Sequence, residues 1–409
     1  MLKRFLISVV VILLAGQVYG QHRLSAGLRG GYPFSPQNEL LGGANSLERP
    51  LRLAGAADVQ YAFIIPGTSY QGAGLSVFSL FDHKDVGTPI SLYVFQGAQI
   101  ARLSPGLSLD YEWNFGASFG WHRNEEHPLN TIMGTKVNAY INGGIMLTWQ
   151  DDDLSVSIGP EFTHYSNGQT ELPNAGLNVV GLRLNAARTF DREAFPRLRE
   201  ALSKEERLTG NISCDITAFG SLKKCAVRHN DIYYKVEGRF ATAGIHINPF
   251  YDLHKHFRVG ASLDFNYDEA ANISSHVAGT SSGAIGFFRP SLAEQLSLGL
   301  SVRAELVMPI FSVQFGIGHN IIYNGADLAG LYQIIALKTH VARRLYLHSG
   351  YQFRDFHRPD HLLLGLGYSF GKQSACPSAP RHPRQQGFQR KPPQRCRPTL
   401  HRSGAKPCV

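Results

Sequence analysis

The stretch "KVNAYINGGIMLTW", residues 136–149, decides the fold. Val137, Ala139, Ile141, Gly143, Ile145, Leu147 and Trp149 fall on one parity, and Lys136, Asn138, Tyr140, Asn142, Gly144 and Thr148 on the other. Side chains alternate across a β-strand, so this period places an apolar face against a polar one. The apolar face ends in a tryptophan, as a lipid-facing strand does at an interfacial aromatic girdle.

The same pattern extends outward in both directions, cut by Gly, Asn, Asp and Pro turns. Before and after it come "RLSAGLRGGYPF", "RLAGAADVQYAFII", "GAGLSVFSLF", "ISLYVFQGAQIARL", "LSLDYEWNFGASFGWH", "LSVSIGPEFTHYS" and "LNVVGLRLNAARTF", giving eight strands between His22 and Phe190. A charged, helix-permissive run, "DREAFPRLREALSKEERL", separates these from a second series that begins near Cys214. That series runs from "DITAFGSLKK" to "HLLLGLGYSF", where Leu362, Leu364, Leu366, Tyr368 and Phe370 share a face. The total expected is about fourteen to sixteen strands. Long strands with aromatic-tipped faces predict an all-β, antiparallel transmembrane β-barrel, because a bilayer admits only helices and closed barrels. A single wide barrel and two small ones both fit this pattern.

Composition agrees. Aromatic residues make up 11% and charged residues 17%, against roughly 25% charged in ordinary soluble domains. "MLKRFLISVVVILLAGQVYG", residues 1–20, carries a basic start, an apolar run and a small-residue cleavage pattern, and predicts a signal peptide. The expected divisions are residues 1–20 as signal peptide, 21–190 as a first barrel region, 191–213 as a charged linker, 214–370 as a second barrel region and 371–409 as a tail. The tail is rich in Pro and Arg, lacks periodicity and predicts disorder. It holds nine of the 40 basic residues and no acid, which leaves 40 − 9 = 31 basic residues against 31 acidic ones. The net charge of +9 is therefore that of the tail and does not argue for a nucleic-acid partner. Cys214 and Cys225 are a candidate disulfide in an oxidising compartment, while Cys376, Cys396 and Cys408 have no metal-ligand spacing.

The seventh strand raises a functional question. Leu154, Val156, Ile158 and Phe162 share a parity with His164 and Ser166, and beyond the turn Asn178 shares the face of Val180, Leu182 and Leu184. If the first strand starts in the periplasm, this polar group faces lipid at the cell-surface end. A serine becomes nucleophilic beside a base, and the base needs a group to orient it.

At "HYSNGQTELPNAGLN", residues 164–178, the sequence resembles the lipid A 3-O-deacylase (PagL) family. The second half is similar to the long, Bacteroidetes-type acyloxyacyl hydrolase form of that family. The resemblance implies an eight-stranded outer-membrane barrel that removes an ester-linked acyl chain from lipid A in the outer leaflet, without a cofactor. It implies Ser166 as nucleophile, His164 as base, and Asn167 and Gly168 at the oxyanion hole. The family's acidic residue is replaced by Asn178, and Glu171 in the turn is the alternative acid. Two other readings are a transport pore, since one barrel of this strand count would enclose water, and a structural barrel with a decayed site. "HRNEEH", His122 to His127, reads as a surface loop rather than a metal site.

Overall fold

A computed structural model describes residues 21–34, 52–65, 69–123, 125–126, 132–174, 176–190, 210–229, 232–254, 256–281, 284–308, 311–342, 344–356 and 358–371. The expected signal peptide, most of the linker and all of the tail beyond Gly371 lie outside these residues.

The alternating segments form strands whose edges are all paired. β1 (His22–Phe34), β2 (Ala54–Ile65), β3 (Ser69–Ser79), β4 (Gly87–Ser104), β5 (Leu107–Trp121), β6 (Val137–Asp151), β7 (Leu154–Ser166) and β8 (Leu177–Phe190) follow one another around a closed antiparallel barrel. Closure is made by β1 on β8, from His22 opposite Phe190 to Phe34 opposite Asn178.

The second half closes on itself instead of widening the first. Its barrel runs β12 (Phe240–His254), β13 (Phe257–Asp268), β16 (Leu296–Val307), β17 (Phe311–Tyr323), β18 (Leu331–His340), β19 (Leu345–Arg354), β20 (Arg358–Gly371) and β9 (Ile212–Lys223). Four short strands, β10 (Ala226–His229), β11 (Ile232–Val236), β14 (Val277–Ser281) and β15 (Ala284–Phe287), make a separate sheet from the connections. The alternating run at residues 233–247 is thereby broken at Glu237–Arg239 into β11 and β12. The sheet's small core of Val227, Val236, Phe240, Ile273 and Ile285 sits at that end of the barrel.

The outward face is apolar and bare. Leu154, Val156, Ile158, Phe162, Val180, Leu182 and Leu184 are all between 41% and 59% exposed, which no water-facing wall of this extent would leave. Eight strands give an interior that side chains just fill. In the first barrel Arg183 meets Glu112 and Asp58, while Arg29 meets Asp58 and Glu161. In the second, Arg258 and Lys338 both reach Asp215 and Glu305, and Arg303 grips Asp264. Glycines make room for lumen tyrosines: a Cβ on Gly97 would lie 2.3 Å from Tyr70, and one on Gly367 2.0 Å from Tyr346.

Turn lengths mark the two ends. The β2–β3, β4–β5 and β6–β7 connections are two or three residues long, while residues 35–53, 80–86, 122–136 and 167–176 connect the other end. Outer-membrane barrels keep short turns at the periplasm and long loops outside. The barrels touch through Phe63 and Val94 of one and Met308, Phe311 and Leu337 of the other. Phe63 has lipid-facing parity yet is 1% exposed, because the second barrel covers it.

Candidate functional site

β7 carries the candidate residues to the long-loop end. Its register against β8 puts His164 directly opposite Asn178, and its register against β6 puts Ser166 opposite the small Ala139. His164 and Ser166 are half-buried and share the outward face, while Tyr165 between them points into the lumen. Tyr165 packs on Phe78 and Trp121 at 5.0 Å each and on Tyr140 at 5.4 Å. This aromatic stack holds the strand end where its outward residues must be positioned, and single-sequence parity had no means of finding it.

The amide oxygen of Asn178 accepts a hydrogen bond from His164 Nδ1–H at 2.7 Å. That bond sets the tautomer and leaves Nε2 as the basic nitrogen. Asn178 is 8% exposed, so little water competes for the imidazole. Gly176 lies beside both candidate residues: it has φ +71°, and a Cβ there would sit 3.3 Å from His164 Cε1 and 4.0 Å from the Ser166 Cβ. Its left-handed backbone and its lack of a side chain keep this space open.

The turn from Asn167 to Gly176 is tied to itself. Asn167 N–H donates to Asn174 Oδ1 at 3.0 Å, and Asn167 Nδ2 donates to the Glu171 carbonyl at 2.9 Å. The backbone donor of Asn167 is thus already committed, and only its second amide hydrogen remains to serve an oxyanion. Asn174 pairs by a single bridge with Met133, joining this turn to the β5–β6 loop. The Pro-Asn-x-Gly run after the motif was the available signal for Asn174 and Gly176. Gly168 has φ +65°, and the side chain of Leu362 from β20 fills the place its Cβ would take.

Two expectations are corrected here. Glu171 does not reach His164: its carboxylate is held by Lys224 at 3.4 Å, Arg239 at 3.5 Å and Lys235 at 3.7 Å, all from the second half of the chain. Cys214 and Cys225 are free thiols. They sit near opposite ends of β9, and eleven residues of extended chain span roughly 36 Å, far beyond disulfide reach. Burial pushes the Cys225 thiol up to about 12. In the segment from His122, hydrogen bonds from Arg123 and Lys136 hold the Glu126 carboxyl down to about 2, so this acid is engaged with cations. His127 lies outside the described residues.

Comparison with known families accounts for both halves. The profile of the family "Lipid A 3-O-deacylase (PagL)" matches residues 99–187, which include His164, Ser166 and Asn178. The profile "Acyloxyacyl hydrolase, C-terminal domain" matches residues 212–372, the second barrel. The chain belongs to the PagL-like family. It is an outer-membrane protein of Gram-negative type, and the family's activity is that of a lipid A deacylase, a hydrolase.

Among solved structures, the PagL-like chain is similar to the outer membrane enzyme PagL, at 14% identity and TM-score 0.27, over 40% of this chain and 97% of that one. It is also similar to Neisserial surface protein A, at 8% identity and TM-score 0.28, over 42% and 97%. A third likeness is the siderophore receptor PirA from Pseudomonas aeruginosa, at 10% identity and TM-score 0.24, over 85% and 80%. No curated protein matches it.

Proposed function

We propose that this protein is an outer-membrane esterase that removes an ester-linked acyl chain from lipid A, with Ser166 and His164 as its reacting pair. The observation that carries the reading is the outward His164–Asn178 hydrogen bond of 2.7 Å with Ser166 on the same face. A nucleophile there meets lipid, and at the long-loop end it meets the head-group region of the outer leaflet. Lipid A supplies an ester at that depth.

His164 Nε2 takes the proton as Ser166 Oγ attacks the ester carbonyl carbon. The tetrahedral intermediate expels the sugar oxygen, which leaves with the proton from His164. Water then attacks the acyl-serine, giving its proton to His164, and the free fatty acid departs as Oγ is reprotonated. Asn178 keeps the imidazole in the productive tautomer but adds no negative charge to stabilise imidazolium, so the cycle runs slower than with a carboxylate. The second hydrogen of Asn167 Nδ2 and the backbone N–H of Gly168 are the donors nearest in sequence for the oxyanion.

The test is mass spectrometry of lipid A from cells expressing wild type or Ser166→Ala at matched levels. Loss of one acyl chain with wild type alone supports the reading. Identical lipid A, with the barrel folded in the membrane, excludes it.

A further inference from the structure

Among the described residues Glu171, at the outer end of the first barrel, is ion-paired with three cations, and all three are supplied by the second half. Lys224 follows β9, Lys235 lies on β11, and Arg239 precedes β12. Two further contacts reach the same turn. Lys224 N–H donates to the Gln169 carbonyl at 2.8 Å. The Leu362 side chain occupies the space over Gly168.

We infer that the second barrel is a positioning domain for the catalytic turn, acting through Glu171. This rests on the reading of Ser166 and His164 given above. The path is short. The three cations fix Glu171, and the Glu171 carbonyl accepts from Asn167 Nδ2 at 2.9 Å. Asn167 directly follows Ser166 in the chain. Held at Gln169, Gly168 and Glu171 from one side, and at Asn174 from the other, the turn fixes both the serine and the oxyanion donors beside it. A hairpin tip held only by its own residues would move on the scale of a loop. Among the described residues no hydrogen bond or ion pair joins the second half to Ser166 or His164; its role is to keep the turn in the geometry those residues require.

The test uses the full chain in nanodiscs, with deacylation followed alongside hydrogen exchange of residues 167–176. In Glu171→Gln, kcat is expected to fall about tenfold with KM little changed, the size of a small misplacement. Exchange in the turn is expected to quicken while the barrel strands stay protected. Glu171→Lys should be worse, and adding Lys235→Glu with Arg239→Glu to it should recover the rate to within a few-fold, because attraction is restored with the signs exchanged. Quickened exchange with full activity overturns the inference and leaves the function standing. Unchanged exchange in Glu171→Gln overturns it as well, as does failure of the exchanged-sign variant despite a folded barrel. An inactive wild type removes the catalytic reading and this inference together.

Discussion

The two barrels share a strand count, a direction and a charged interior, yet the proposed reacting pair lies on the outer wall of only one. In the first, the seventh strand ends in His164 and Ser166, facing Asn178 on the eighth. In the second, the corresponding strand, β19, presents Tyr351 and Phe353, with ring centroids 4.7 Å apart. The lesson is that lumen and wall are separable in this architecture. Ion pairs inside hold each barrel closed, and a few outward residues at the long-loop end decide whether it can react.

The sharpest way to break this comparison is Ser166→Ala. Deacylation is expected to drop by about 10³-fold or more, as removal of a nucleophile does, while heat-modifiability on gels shows the barrel intact. His164→Gln should fall nearly as far. A pH profile refines it: neutral imidazole is the base, so the rate should fall tenfold per unit once acid protonates His164, and stay level at higher pH. A rate unchanged down to strongly acid pH removes His164 from the mechanism.

Asn178 is the next test. Asn178→Ala should slow the reaction about tenfold, the value of about 1.4 kcal/mol for losing one orienting hydrogen bond. Asn178→Glu should accelerate it, because a carboxylate stabilises the imidazolium that forms. Equal rates in wild type and Asn178→Glu would mean that orientation alone limits the step.

The lumen predictions concern stability instead. Asp264→Ala strands Arg303, which is fully buried, and should cost roughly 3–5 kcal/mol in unfolding. Asp58→Ala in the first barrel leaves Arg183 with Glu112 and Arg29 with Glu161, and should cost less, roughly 1–3 kcal/mol. The smallest effect expected is in planar bilayers, where neither filled interior should conduct.

Much of this was legible in the sequence because period two is local. The parity of residues 136–149 and 154–166 assigns every side chain to a wall or a lumen without knowledge of partners. The same parity put His164 and Asn178 on one face, and cross-strand register then sets them side by side. What was not legible is non-local. That β9 closes on β20, making two barrels instead of one wide one, depends on pairing across residues 212–371, which alternation does not encode. Glu171 reads as a spare acid near a histidine until the second half supplies three cations. Cys214 and Cys225 look close as spacing, but β9 separates them, with Cys225 just past its far end. The backbone donor of Asn167 is consumed by a turn contact to Asn174.

The covered stripe at Phe63 and Val94 has one more consequence. A lipid reaches a membrane enzyme by diffusing in two dimensions, and it can arrive only where the wall is free. The second barrel lies against β2, β4 and β5, whereas the candidate pair looks out from β7 and β8, where Phe162, Val180 and Leu182 remain 44% to 59% exposed. Encounter is therefore one-sided: the molecule has a front, open to the traffic of the leaflet, and a back that lipid cannot enter.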